Sequence, residues 1–157
     1  MVSKWVGPAW LAVAIAVPAE AQMVTAKDPQ SVVRVLHKEG YTAKLEADKG
    51  GEPMISSGYS GSSFRIFFYN CTQKKDCATV QFYSGYTLDK PVALDRINAW
   101  NSSQRFGRAY LNDKGEAAIE MDIDLDDGGV SEALFTDNLE YWVSVMGAFE
   151  KHIGFRD

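Results

Sequence analysis

The sequence has little of the residue types from which most catalytic and metal sites are built. Its 157 residues include two cysteines, Cys71 and Cys77, and two histidines, His37 and His152. It contains neither a Cys-x-x-Cys redox motif nor a Gly-x-Ser-x-Gly nucleophile motif, and its cysteines and histidines do not suit a four-ligand zinc site. We therefore expect a protein that is not an enzyme and that carries no metal or cofactor.

Clustered positive charge is also scarce. The chain has 16 Lys and Arg residues against 21 Asp and Glu residues, which gives a formal net charge of −5. Its tightest basic pairing is Lys74-Lys75, in a predicted loop. Proteins bind a nucleic-acid backbone through clustered Lys and Arg, so this balance argues against nucleic acid as a partner.

Long apolar runs are missing as well. The apolar stretch from residue 6 to residue 17 is interrupted by Gly7 and Pro8, and it is short for the ~20 residues that span a bilayer. Lys4 precedes this stretch and Ala19-Glu20-Ala21 follows it, which is the order of a secretory signal peptide. An uncleaved membrane anchor is the alternative.

We predict cleavage after Ala21, so that residues 1–21 are a signal peptide and residues 22–157 are the mature domain. Cleavage removes one basic and one acidic residue, and the net charge therefore stays at −5. The expected location is periplasmic or secreted, with no stable membrane insertion after cleavage. Because that compartment is oxidising, we expect Cys71 and Cys77 to form a disulfide that closes a short loop.

Periodicity predicts an α+β fold with three helices and an antiparallel sheet of about five to six strands. One helix is expected over residues 29–39, starting at Asp28-Pro29. A second should open at Pro91, with Ala93, Leu94, Ile97 and Trp100 on one face. The third is expected over residues 131–153. Strands are expected over residues 41–47, 54–59, 63–70, 78–86, 106–111 and 116–125.

The two strongest strands, residues 63–70 and 78–86, have a second face that is not cleanly polar. Their even positions form the natural core face, while the odd positions include Phe67, Tyr69 and Tyr83. Either a helix or loop covers these three aromatic side chains, or they form an exposed patch that binds a protein partner.

Residues 106–125 are expected to form a hairpin with its turn at residues 112–115. This register sets Arg108 opposite Glu120 and places Ala109, Leu111, Ala117 and Ile119 on the core side. The outward residues are acidic: Glu116, Glu120, Asp122, Asp124 and Asp126. An EF-hand loop that starts at Asp122 would need glycine at its sixth position and glutamate at its twelfth, but these positions hold Asp127 and Ala133. We therefore expect a solvated strand face, with weak cation binding as the alternative.

Asn98 and Asn101 flank Trp100 near the end of the second helix. Asn favours helix ends, where its amide bonds to nearby backbone, and a polar ligand site at Asn98, Trp100 and Asn101 is the other interpretation. The third helix has an apolar belt wider than one core-facing stripe, which includes Tyr141. This surplus either packs deeply on the sheet or contacts another subunit, which would make a homodimer.

Several of these segments together resemble one family. GYTAKLEAD, the strand pair around the two cysteines, INAWNSSQRFGRAYLNDKG and MDIDLDDGGVSEALFTDNLEYWVSVMGAFEKHI are similar to the YbjN family of bacterial proteins, which are labelled sensory transduction regulators. The likeness spans residues 28–154. It implies a fold like that of type III secretion chaperones, and binding or regulation in place of catalysis.

The sequence therefore predicts an exported, non-catalytic binding or regulatory module that acts through an unidentified protein partner. Phe67, Tyr69, Tyr83 and Tyr141 are the candidate contacts. The alternative is a periplasmic enzyme, or a small-ligand or cation-binding protein, that uses Asn98 and Asn101 or the region of Asp122, Asp124 and Asp126.

Overall fold

The computed structural model describes residues 22–156, so the predicted signal peptide lies outside the described residues. The helices of the described part are α1 (Pro29–Lys38), α2 (Leu94–Ser103) and α3 (Glu132–Ile153). Its strands are β1 (Met23–Val24), β2 (Thr42–Ala47), β3 (Pro53–Tyr59), β4 (Ser62–Tyr69), β5 (Thr79–Tyr86), β6 (Arg108–Leu111), β7 (Ala117–Asp124) and β8 (Val130–Ser131).

Six of these strands form one antiparallel sheet in the order β2-β3-β4-β5-β7-β6. Strands β2 to β5 are neighbours because short connections join them in sequence, and β7 then pairs with β5 so that β6 lies at the edge. The predicted α+β class, with three helices and an antiparallel sheet, is confirmed. The similarity to type III secretion chaperones stays a prediction.

The core lies on one side of this sheet. Phe64 of β4 and Phe82 of β5 both contact Trp142 of α3, with ring centroids 6.0 and 5.5 Å apart. Buried residues of all three helices join the even positions of β4 and β5 in one cluster. The predicted core face is therefore confirmed, and the helices cover that side. Burial of each aromatic side chain there contributes roughly 2–3 kcal/mol to stability.

Both ends of α3 follow the sequence signals. The Ser131 hydroxyl accepts a hydrogen bond from the Leu134 backbone N–H at 3.3 Å, which caps the first turn. Gly154 ends the helix in a left-handed conformation with φ of 73°. Among the helices of residues 22–156, none is long and apolar enough to cross a membrane.

Helix α2 begins later than predicted. It starts at Leu94, and Leu94 is 60% exposed, so the expected placement of Ala93 and Leu94 on the buried face is wrong. Val92 is buried in their place, within an extended segment that leads into the helix. Because the fixed φ of a proline suits extended backbone as well as a first helical turn, Pro91 does not decide where the helix begins.

The hairpin of β6 and β7 has the predicted register. Arg108 lies opposite Glu120, and Ala109 lies opposite Ile119 on the core side. Its turn is held by the Asn112 side chain, whose oxygen accepts hydrogen bonds from the backbone N–H groups of Lys114 and Glu116. The strand itself begins at Arg108, two residues after the predicted start.

A small sheet of β1 and β8 ties the beginning of the described chain to the start of α3. Its two-residue strands were not predicted. Gly129 precedes β8 with φ of 84°, and a Cβ atom at this position would lie 2.1 Å from the Val24 carbonyl oxygen. The backbone of β1 therefore approaches so closely that only glycine fits.

Cys71 and Cys77 form a disulfide, as the sequence predicts. It closes the connection between β4 and β5. Cys77 is fully buried at the rim of the core, while the residues between the two cysteines are exposed. The bridge thus stabilises an otherwise solvated loop beside two central strands.

Candidate functional site

The side of the six-stranded sheet opposite the helices carries a group of aromatic side chains. The Phe67 ring lies 5.8 Å from that of Tyr83 in an edge-on arrangement and 6.4 Å from that of Tyr69. Tyr69 is 40% exposed, and the other two are half-buried. None of the three helices described packs on them. We call this surface, on which the outward side chains of β2 to β7 lie, the open sheet face.

The open sheet face forms a cleft of about 570 Å³. The end of β2 and the turn that follows it, residues 47–49, make one wall, and Tyr110 and Glu120 lie across from it. The sequence predicted the aromatic floor but not this wall or Tyr110. Tyr110 is an outward position of the predicted hairpin, and only the placement of that hairpin beside β5 brings it to the cleft.

Glu120 corrects one sequence expectation. It was predicted to point into solvent with the other acidic residues of its strand, but it is only 6% exposed. Arg108 and the Tyr110 hydroxyl both donate hydrogen bonds to its carboxylate. Burial and the bond to Glu120 raise the pKa of Tyr110, which keeps this phenol protonated and donating. A charge can be buried here because two donors satisfy it.

Asp122, Asp124 and Asp126 are exposed, as predicted. Asp122 accepts a hydrogen bond from the Gln81 side-chain amide at 2.9 Å, and Asp124 accepts one from the backbone of Asp126 at 3.0 Å. In residues 22–156 there is no group of three or more His, Cys, Asp or Glu side chains that could hold a metal ion. The acidic strand therefore offers a negatively charged surface beside the aromatic floor.

Asn98, Trp100 and Asn101, the polar site candidate, do not form one site: within residues 22–156, Trp100 and Asn101 bond to backbone, and Asn98 does not. The Asn101 amide both donates to the Ala109 carbonyl and accepts from the Ala109 N–H, each at 2.9 Å. Trp100 is buried, and its indole N–H donates to the Gly107 carbonyl at 2.8 Å. Asn98 is exposed on the helix surface. Two of the three side chains thus bond to the backbone at the start of β6. This agrees with the interpretation that the amides bond to nearby backbone, and not with a polar ligand site.

Tyr141 lies on a different surface from the open sheet face. It is 48% exposed on α3, and its ring centroid lies 5.0 Å from that of Phe106, which is 41% exposed. Phe106 precedes β6 and was not among the contacts predicted from the sequence. The pair forms a small aromatic patch on the helix side of the molecule.

A buried carboxylate on α3 was also missed. Glu150 is 3% exposed, accepts a hydrogen bond from the Ser62 hydroxyl and lies 3.4 Å from the Arg156 guanidinium. Arg156 also donates to the Ser60 carbonyl at 2.6 Å. These contacts fasten the residues after α3 to the β3–β4 turn, and their role is structural.

Comparison with known proteins gives one result. A family model described as "Putative bacterial sensory transduction regulator", the YbjN family, matches residues 28–155. No curated protein and no solved structure matches the chain. The match to the family model covers β2 to β8 and all three helices, and it confirms the resemblance drawn from the sequence segments. The chain therefore belongs to the YbjN family.

Proposed function

We propose that this protein is an exported, non-catalytic regulatory module that binds another protein through the open sheet face. One observation carries the proposal: the aromatic side chains Phe67, Tyr69, Tyr83 and Tyr110 surround a cleft on a sheet face that the described helices leave uncovered. Tyr and Phe are enriched at protein interfaces, and exposed apolar patches tend to mark interaction sites. The regulatory description of the family agrees with this role.

The enzyme and small-ligand alternatives have less support. Glu120 is the buried carboxylate of the cleft, and its oxygens already accept hydrogen bonds from Arg108 and Tyr110. A general base needs a free acceptor within reach of the substrate. The Asn101 amide is likewise engaged by the backbone of Ala109.

Photocrosslinking at a single position tests the proposal. A photoreactive phenylalanine analogue at Tyr69 should give discrete adducts with one protein in living cells, because this side chain lies on the open sheet face and is 40% exposed. The matched control carries the same analogue at Leu94, which is 60% exposed on the helix side. Adducts from Leu94 alone, or from neither position, would contradict the proposal.

Export is the second part of the proposal. The residues that follow the predicted cleavage site take part in the fold: the Gln22 carbonyl accepts a hydrogen bond from the Glu132 N–H at 2.9 Å, and Val24 is buried. Cleavage after Ala21 would therefore leave the domain intact. Intact-mass measurement on protein from its native host should give a chain that starts at Gln22, and a mass that includes residues 1–21 would favour an anchor.

The patch of Phe106 and Tyr141 is the candidate contact for a second copy of the chain. Its two rings contact each other at a tilt, with centroids 5.0 Å apart, and nearly half of each side chain is exposed. If it joins two subunits, sedimentation of the native protein should give a dimer and Tyr141→Ser should give a monomer. A native protein that sediments as a monomer at high concentration would limit this patch to intramolecular packing.

A further inference from the structure

We propose that the open sheet face recognises a segment of the partner protein that is rich in lysine or arginine. This inference rests on the proposed function, since it names the chemistry of the partner that the same surface would bind. It follows from the charges around Tyr69, from the geometry of the strands there, and from the way that cationic side chains contact aromatic rings.

Two carboxylates beside the aromatic floor have no cationic partner in the described part of the chain. Ion pairs on the open sheet face join Arg108 with Glu120 and Lys44 with Glu46. Asp122 and Asp124 take part in none of the ion pairs found within residues 22–156. The Gln81 amide that donates to Asp122 is neutral, so it orients that carboxylate without compensating its charge.

The acidic and aromatic side chains run side by side across the sheet. Tyr69 pairs with Thr79, which pairs with Asp124 on the next strand. Phe67, Gln81 and Asp122 form the neighbouring row in the same way. Adjacent strands lie about 4.8 Å apart, so the backbone of each aromatic residue is roughly 10 Å from that of the acidic residue in its row.

This separation suits the side chains of lysine and arginine. Both can lay their apolar stems along an aromatic surface while the charged group reaches a more polar neighbour. The charged group is also attracted to the face of an aromatic ring within about 6 Å of its centroid. A basic segment over Thr79 and Gln81 could therefore contact both rows at once.

The charge balance at this end of the cleft is negative. The turn between β2 and β3 adds Asp48 and Glu52, and the basic side chains nearby are Lys49 and Lys74, which lies beside Gly51. Burial raises the pKa of Tyr69, and the negative charges of Glu120, Asp122, Asp48 and Glu52 raise it further. Arg65 also lines the cleft, but it lies opposite Tyr83, four positions along β4 from Tyr69, and therefore at the other end of the cleft.

Two other occupants fit less well. A second copy of the chain has the same net charge of −5, and an anionic membrane surface has the same sign as these carboxylates. A basic protein segment is the occupant whose charge complements the face, and such complementarity mainly provides specificity and speeds association.

The test titrates two synthetic peptides into the purified, isotope-labelled protein at physiological salt and follows backbone amide signals by NMR. One peptide alternates arginine with glycine, and the other has glutamate in place of each arginine. The arginine peptide should shift the signals of Tyr69, Gln81 and Asp122, and the glutamate peptide should leave them in place.

Matched charge variants test where the arginine peptide binds. The double variant Asp122→Asn/Asp124→Asn keeps both hydrogen-bond acceptors, and we expect it to weaken binding about fivefold, since two exposed ion pairs contribute about 1 kcal/mol. The control Asp126→Asn/Asp127→Asn removes the same charge just after β7 and should change the affinity by less than about twofold. Thermal melting confirms that each variant is folded.

The possible outcomes separate this inference from the proposed function. Equal losses in the two double variants, equal binding of the two peptides, or shifts away from the open sheet face would each overturn the basic-segment inference. If crosslinks still form at Tyr69 in that case, the open sheet face binds a partner of another chemistry. If neither crosslinks nor peptide shifts occur at this face, both proposals fail.

Discussion

Replacement of Asn101 by alanine should destabilise the fold without touching the core. The amide of Asn101 makes two hydrogen bonds to the backbone of Ala109, a residue that is 3% exposed at the edge strand β6. Each bond contributes about 0.5–1.5 kcal/mol, and the N–H and C=O groups left unpaired lose further stability where water cannot reach them. Against this, alanine in a helix is favoured over asparagine by roughly 0.5 kcal/mol. We expect a net loss of about 2 kcal/mol in the free energy of unfolding.

Urea denaturation followed by circular dichroism measures this loss, and the matched control is Asn98→Ala. Asn98 lies one turn earlier on the same helix and is exposed like Asn101, but its side chain makes none of the hydrogen bonds found within residues 22–156, so its replacement should have no effect or should stabilise slightly. The difference between the two variants isolates the bonds to β6. A difference of about 2 kcal/mol corresponds to a shift of roughly 6 °C in melting temperature for a domain of this size. If Asn101→Ala is as stable as Asn98→Ala, the bonds to Ala109 contribute nothing and the structural interpretation of Asn101 is wrong.

Three further predictions follow from local contacts. Replacing Cys71 and Cys77 by serine should cost about 2 kcal/mol by the chain-entropy estimate for a ring of this size, and titration of the denatured, unreduced protein should find no free thiol. Gly128→Ala should cost about 1–2 kcal/mol because of its positive φ, whereas Gly129→Ala should cost more because its Cβ would collide with β1; equal losses would show that this contact is unimportant. Hydrogen bonds from the side chains of Asn112 and Thr87 lower the pKa of the Glu116 carboxyl below its ordinary value, so its contribution to stability is present above the ordinary pKa and is lost as the pH falls through the lowered pKa; urea midpoints of Glu116→Gln should fall less steeply on acidification than those of the native protein.

Much of the fold was predictable because its signals are local. The alternation of β4 and β5 identified the core face, since one-residue slips would have exposed Phe64 and Phe82. The pairing of Arg108 with Glu120 followed from a turn whose length fixes the register. The caps at Asp28 and at Gly154 were likewise readable, because each depends on residues within a few positions.

What could not be predicted depends on distant parts of the chain. Strands β1 and β8 have two residues each and form only because the chain before α1 lies against the start of α3. The burial of Glu120 depends on Arg108 and Tyr110 across the hairpin. Local sequence places a carboxylate of a strand outward, and it does not say whether a neighbouring side chain then covers it. A hydrogen-bonding tyrosine two residues from the predicted arginine partner was the available signal.

The candidate site was predicted in part for the same reason. The odd positions of β4 and β5 identified the aromatic floor of the open sheet face, whereas its wall and Tyr110 come from elements far apart in the sequence. Asn101 and Tyr141 were grouped with possible sites because exposed polar and aromatic residues look alike in a sequence. Only the structure separates Asn101, which bonds to β6, from Tyr141, which is exposed beside Phe106.

The aromatic content of the open sheet face is not required by the fold. Antiparallel sheets commonly have one packed and one solvated face, and the solvated face needs only polar side chains. Here all three described helices lie on the packed side, and Cys71–Cys77 joins β4 and β5 beyond the end of that face. Threonine at Phe67 and Tyr69 would also suit a strand and would expose less apolar surface. The contacts of Phe67 with Tyr69 and Tyr83 stabilise the sheet, whereas Tyr69 stays 40% exposed beside carboxylates that form no ion pair within residues 22–156, and this exposed part of the surface is where the proposed partner would bind.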